Sequence, residues 1–137
     1  APEAEACGFH LVDVRVTLQH DLALGLGGEP PLAAQLEVRA YCANDLPALQ
    51  HVAGGAFRDT RFYTDKRIPR ERADALYITW IEGSCANPDY QVFVADWNGV
   101  PAGFITCTVS PSYGGGAIGL FAVAAGYHGR GIGRALL

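Results

Sequence analysis

The last eighteen residues, Leu120 to Leu137, read LFAVAAGYHGRGIGRALL. An apolar run ends at Ala125, a loop punctuated by Gly126, Gly129, Gly131 and Gly133 follows, and Ala135, Leu136 and Leu137 open a helix. Glycines let backbone amides come close to a ligand. The first turn of a helix adds amides without intrahelical partners at the positive end of its dipole. A strand, a loop and a helix N-terminus in this order make a seat for phosphate, and a pyrophosphate is its natural guest.

Spacing excludes two other phosphate loops. A Walker loop needs Gly-Lys followed by Ser or Thr, whereas Gly133 precedes Arg134 and Ala135. The dinucleotide pattern G-x-G-x-x-G, counted from Gly129 and Gly131, puts Arg134 where its third glycine belongs. The spacing His128-x-x-Gly131-x-Gly133 behind an apolar strand instead resembles the coenzyme A signature of the GNAT acetyltransferase superfamily, Q/R-x-x-G-x-G/A. His128 stands where that signature has Gln or Arg, at a position that contributes mainly through its backbone. The resemblance implies acetyl-CoA as cosubstrate. It implies that Phe121, Ala122 and Val123 expose backbone groups to the acetyl and pantetheine arm. It also implies that His128 opens the loop and that the amides of Gly129, Arg130, Gly131, Ile132, Gly133 and Arg134 hold the pyrophosphate, with Arg130 and Arg134 adding positive charge.

Those groups need a domain to position them, and 137 residues, half of them hydrophobic, suffice for one with a real core. No apolar stretch reaches the ~18 residues that span a bilayer, and the opening APEAEACGF lacks the basic and apolar regions of a signal peptide. The cytoplasm is the expected compartment, and no membrane partner is expected. Cys7, Cys42, Cys85 and Cys107 are widely spaced and the histidines are scattered, so buried reduced thiols are expected rather than a metal site or a disulfide framework. Net charge is -4, and Lys66, Arg67, Arg70 and Arg72 are largely offset by Glu71 and Asp74, which argues against a nucleic-acid partner. The chain contains no methionine and stops inside the helix that the loop begins, as expected of a fragment, marginal in isolation.

Upstream, Phe9 to Gln19 alternates Val12, Val14, Val16 and Leu18 with polar residues, as a half-buried strand does. Gly25, Gly27, Gly28, Pro30 and Pro31 then mark a linker. Residues 1–31 are accordingly expected to close a partial N-terminal domain, and residues 32–137 to begin a second one. Leu36 to Cys42 is strand-like. Asn44 or Asp45 caps a helix with Leu46, Leu49, Ala53, Ala56 and Phe57 on one face and Pro47 in its first turn. A polar loop runs from Arg61 to Lys66. Pro69 opens a second helix with Ala73, Leu76, Tyr77, Trp80 and Ile81 at helical spacing. Tyr90 to Trp97 and Pro101 to Ser110 flank Asn98-Gly99, a hairpin signal, and Gly115 or Gly116 to Ala124 is the next strand. The order is strand, two helices, three strands, loop and helix. It predicts an α/β (α+β) fold with a mixed, mostly antiparallel sheet flanked by helices. The same order is that of the N-terminal two-thirds of a GNAT domain, which leaves the fold C-terminally incomplete by that comparison.

A second resemblance concerns the acceptor. Ala56-Phe57, Arg61-Phe62-Tyr63-Thr64-Asp65, Tyr77 and Trp80-Ile81 resemble the acceptor-side region of bacterial dTDP-fucosamine (TDP-4-amino-4,6-dideoxygalactose) acetyltransferases. It implies a small-molecule amine, a TDP-linked nucleotide sugar, as substrate. Arg61 would then pair with phosphate and Phe62 or Tyr63 would stack on a base or sugar. Read on their own, the same three residues fit solvated charge and loop-anchoring aromatics equally well, and core packing is expected for Tyr77 and Trp80. No Glu or Asp follows Asp96, so no catalytic residue is assigned. The resemblance places a proton-donating tyrosine beyond the coenzyme helix. A GNAT enzyme for another amine (an amino acid, a protein amino terminus or an antibiotic) and a non-catalytic acyl-CoA-binding module fit the loop equally, and a homodimer is compatible with each reading.

Overall fold

Hydrophobic alternation produces four strands, β1 (Leu36–Ala40), β2 (Tyr90–Trp97), β3 (Val100–Ser110) and β4 (Gly115–Val123). The computed structural model describes residues 2–9, 14, 16–24, 33–110, 112 and 114–137. The strands form one sheet in the order β1-β2-β3-β4, and among the described residues every pairing is antiparallel. The β2–β3 turn is the one expected at Asn98-Gly99. Both residues have positive φ, 53° and 82°, the backbone that a tight two-residue hairpin demands. The helices are α1 (Pro2–Ala6), α2 (Leu46–Ala56), α3 (Arg61–Thr64), α4 (Arg70–Ala86) and α5 (Ile132–Leu136).

Two layers of side chains cover the sheet. On one face Leu49, Val52 and Ala53 of α2 and Tyr77 and Ile81 of α4 pack with Val92, Val94, Phe104, Leu120 and Ala122. On the other, Ile132 and Leu136 of α5 meet Leu36, Ala95, Ala102 and Ile105. Alternation along β4 sends Leu120 and Ala122 to the first face and Phe121 and Val123 to the second.

Several expectations need correction. Residues 10–13 and 15 of the strand expected over Phe9 to Gln19 lie outside the described residues. The described ones form no strand, and Val14, Val16 and Leu18 are exposed. Alternation alone does not make a strand when no neighbour takes its amides. Most of the expected linker, 25–31, lies outside the described residues. The loop from Arg61 begins instead with α3, whose preceding Thr60 is extended and receives the Tyr77 hydroxyl hydrogen bond at 2.9 Å. Trp80, expected in the core, is 48% exposed: it lies at the margin of a helical stripe whose centre, Ala73, Tyr77 and Ile81, is buried. Ala56 is likewise exposed, and Val52 takes its place in the packed face of α2. The cysteines are free but not buried, Cys7 and Cys42 being exposed and Cys85 and Cys107 half-buried.

One polar cluster ties β1, α2 and the hairpin together. Arg39 grips Asp45 in bidentate fashion at 2.7 and 2.8 Å and reaches Asp96 at 3.0 Å. Asp45 also accepts the Cys42 amide at 2.9 Å, and Asp96 accepts the Gly99 amide at 2.6 Å inside the turn. Both carboxylates are buried, so each depends on these donors. The Arg39 guanidinium, helped by the Cys42 amide, holds the Asp45 carboxyl well below the usual carboxylate range. A depressed folded value means that the contribution is complete above the unfolded pKa, about 4, and declines as pH falls below it. Asp45→Asn should therefore cost roughly 1–3 kcal/mol at pH 7, less than a fully buried pair because Arg39 is part-exposed. Denaturant unfolding at pH 7 and pH 3 checks this: the gap between the variant and the parent should narrow in acid. A gap independent of pH would contradict it.

Candidate functional site

β4 reaches the site bent. Between the pairs Ile105↔Phe121 and Cys107↔Ile118, Gly119 and Leu120 together oppose Thr106. The buried Thr106 Oγ1 accepts the Leu120 amide at 2.8 Å. A β-carbon on Gly119 would lie 2.8 Å from that oxygen, so the bulge requires a residue without one. Such a bulge re-aims the strand, here immediately before Phe121. Because β4 is an edge strand, the backbone of Phe121, Ala122 and Val123 on the side away from β3 has no neighbouring strand among the described residues.

The loop leaves β4 through a one-turn helix at Ala125–Tyr127 and enters α5 at Ile132. Gly131, the residue before α5, has φ 79°, and a β-carbon there would meet nothing within 4 Å. Its requirement for glycine is conformational. Gly133 differs, because a β-carbon would lie 3.3 Å from the Phe121 ring, so it keeps α5 close to β4. Both glycines were expected to serve close approach to a ligand. The folded chain already demands them for two separate reasons. Ala135 donates to the Gly131 carbonyl at 3.0 Å, the first bond of the helix, and among the described residues no loop or cap backbone bond is donated by Gly129 or by Gly131 through Arg134, while Arg130 closes the turn at His128–Gly129. Five backbone donors, at Gly129 and from Gly131 to Arg134, thus stand beside the end of an edge strand.

The side chains of the loop are less uniform than expected. His128, expected to act through its backbone, also places Nε2 at 2.9 Å from the Val123 carbonyl. Nε2 must carry the proton to donate there, so the ring ties the loop to the last residue of β4. The Arg130 guanidinium lies 5.2 Å from both the Trp97 and the Tyr127 ring centroids, held between two aromatic faces. Arg134 is exposed, with no ion-pair partner among the described residues.

Arg61, Phe62 and Tyr63 lie on α3, among the aromatics of the α2/α4 face, whereas Phe121, Val123 and Tyr127 belong to the α5 face. The fold therefore does not pack the two groups together. Phe62 stands edge-on to Tyr77 at 6.2 Å and to Trp80 at 6.4 Å. Tyr63 lies parallel to Tyr77 at 6.4 Å and donates its hydroxyl to Asp74 at 2.7 Å. Burial and that carboxylate push its pKa up to about 12. The Arg61 guanidinium sits 4.8 Å from the Phe62 ring centroid. Among the described residues, no group of three or more His, Cys, Asp or Glu is placed to hold a metal ion, and no helix is long and apolar enough to cross a membrane. Sequence reasoning missed Thr106, Gly119 and Gly103. A β-carbon on Gly103 would lie 2.8 Å from the Ala122 carbonyl and 3.3 Å from Ile132. A glycine inside each apolar strand was the available signal.

Comparison with known proteins gives a family and a fold. The profile described as Acetyltransferase (GNAT) family matches residues 55–137. The ribosomal-protein-S18-alanine N-acetyltransferase from Escherichia coli superposes with a TM-score of 0.52 at 22% identity, covering 74% of this chain and 54% of that one. A GCN5-related N-acetyltransferase from Ralstonia eutropha JMP134 gives 0.53 at 24% identity, over 74% and 70% of the two chains. The PaiA N-acetyltransferase from Thermoplasma acidophilum, solved in complex with coenzyme A, gives 0.51 at 20% identity, over 74% and 66%. At such identities the likeness is one of fold. The chain spans about half the length of the Escherichia coli enzyme. No curated protein matches it.

The bulge yields a direct test. Thr106→Val preserves shape but leaves the Leu120 amide buried without its acceptor, which should cost about 1–3 kcal/mol. Hydrogen exchange should show the loss concentrated in β4. Unchanged protection of Leu120 would mean that the hydroxyl does not hold the bulge.

Proposed function

Since the chain belongs to the acetyltransferase (GNAT) family, we propose that it serves transfer of an acetyl group from acetyl-CoA to a primary amine, the 4-amino group of a TDP-linked amino sugar. The observation that carries the coenzyme assignment is the set of amides at Gly129 and from Gly131 to Arg134, unpartnered in the loop and at the start of α5, beside the edge of β4. Amide donors at a helix start suit a pyrophosphate in number and in sign, so the residues present fit the group. Acetyl-CoA, when bound, supplies an activated acetyl thioester. The loop amides hold the phosphates, Arg134 adds charge, and the open edge of Phe121, Ala122 and Val123 orients the pantetheine arm as a neighbouring strand would. Backbone amides there also serve as preorganised donors to a polarised carbonyl. Tying the loop to Val123 through His128 keeps these two sets of groups in one fixed relation.

The sugar assignment rests on the resemblance of Ala56-Phe57, Arg61 to Asp65, Tyr77 and Trp80-Ile81 described above. The exposure of Trp80 supports it, because this ring, Phe62 and Arg61 present an aromatic surface with a cation at one end. Such a surface suits a base or sugar ring linked to phosphate.

Calorimetry with acetyl-CoA tests the coenzyme site. Gly131→Val puts a β-branched residue where φ is positive and should weaken binding by a factor of about 100 or more, since several charge-assisted bonds at roughly 1.5–3 kcal/mol each lose their geometry. His128→Ala removes one tie but no amide, and should weaken binding only several-fold, about 1 kcal/mol. Unchanged affinity in the valine variant would remove the coenzyme assignment. Lost turnover with intact binding in the alanine variant would make His128 a catalytic group instead. Acetylation of a panel of amines tests the acceptor, with the TDP-linked amino sugar expected to turn over fastest.

A further inference from the structure

Basic residues are not spread evenly over this acidic chain. Six of the ten, Arg58, Arg61, Lys66, Arg67, Arg70 and Arg72, fall between positions 58 and 72, against three acids, Asp59, Asp65 and Glu71. That segment therefore carries a net +3 in a chain of net -4. It includes α3 and the start of α4, and it contains a cleft of about 210 Å³ lined by Arg58, Tyr63, Ile68 and Arg70.

The nearby acids, Asp74 included, neutralise this cleft only in part. Asp65 is occupied by Arg67 at 2.6 Å. Asp74 receives Arg58 Nη1 at 2.8 Å and the Tyr63 hydroxyl at 2.7 Å on the same oxygen, which leaves the other donors of Arg58 unengaged by it. Arg70 has a ring contact but no carboxylate partner among the described residues. Both guanidinium groups are positioned by the Tyr63 ring, Arg58 at 5.1 Å and Arg70 at 6.0 Å from its centroid. Tyr63 is in turn fixed by its bond to Asp74. Guanidinium groups held over an aromatic face keep their N–H edges free and lose little entropy when they engage an oxyanion. A cavity of this size admits one small charged group rather than a polymer.

We propose that Arg58 and Arg70, held over Tyr63, form a subsite for an anionic group of the acceptor, a phosphate or a carboxylate. This rests on the reading of the α3 side as the acceptor side, and it names a charge that the acceptor must carry at some distance from its amine. Arg61 is not needed for it. The positive charge disfavours a second ammonium in the cleft, so polyamines and lysine side chains are poor candidates.

The test is a titration with inorganic phosphate and, separately, with succinate at constant ionic strength, followed by the arginine side-chain Nε–H signals. The protein is first saturated with coenzyme A so that the glycine loop takes no added phosphate. Saturable shifts at Arg58 and Arg70 are expected, with affinity falling tenfold or more in Arg70→Gln. Arg70 is exposed, so this variant should fold, and its coenzyme A binding serves as the check. A stronger response to phosphate assigns a phosphorylated acceptor, and a stronger response to succinate a carboxylated one. Equal responses in the parent and in Arg70→Gln, or no response beyond that of chloride, would overturn the subsite. Failure of coenzyme A to bind would instead remove the acetyl-transfer reading, and the Arg70 signal would still score the cleft by itself.

Discussion

The site depends on how closely α5 lies against the sheet. A helix of five residues cannot hold itself together by its own hydrogen bonds and must be stabilised by packing. Ile132 and Leu136 supply that packing, both buried against Leu36, Ala95, Ala102 and Ile105. The approach is possible only because Gly103 on β3 and Gly133 on α5 carry no side chain, each having heavy atoms within 3.3 Å of where a β-carbon would be. Bring α5 no closer than an alanine allows, and the loop amides move away from the end of β4. The packing of a small helix and the placement of the loop's amide donors are thus one constraint.

The opposite face has a different chemistry. There α2 and α4 bury a larger apolar cluster, and its rim is aromatic: Phe57 stacks on Tyr77 at 4.4 Å, and Phe62, Tyr63 and Trp80 surround that pair. Arginines border the rings, the guanidinium groups of Arg58 and Arg70 lying over Tyr63 and that of Arg61 over Phe62. The Arg39 cluster fixes the hairpin and the start of α2 with respect to β1, so the two faces are held by a shared frame of part-buried ionic hydrogen bonds. One face presents backbone donors and the other presents rings and guanidinium groups.

Elements with a local cause were legible in the sequence. The hairpin follows from Asn98 and Gly99 accepting positive φ. The α4 helix follows from Ala73, Tyr77 and Ile81 repeating at its period, and the loop from glycines set between a strand and a helix. What escaped was set by contacts distant in sequence. Thr106 is an ordinary strand residue until Gly119 and Leu120 are placed opposite it. Trp80 has the right spacing for the core, but spacing does not say where the covered stripe ends. The valines before Gln19 alternate as a strand does, although the described ones meet no partner. In the sequence, His128 reads as a loop position acting mainly through its backbone. Its bond to Val123 depends on a turn that only the folded loop makes.

The measurement that bears most directly on the coenzyme site is an amide map of acetyl-CoA binding, by hydrogen exchange or by nitrogen–proton correlation spectra. The amides from Gly129 to Arg134 and the edge of β4 from Phe121 to Val123 should change together and saturate with one affinity, while the strands β1 and β2 stay as they were. Saturable changes confined to other segments, with the loop unaffected, would contradict the assignment of this loop as the seat of the coenzyme.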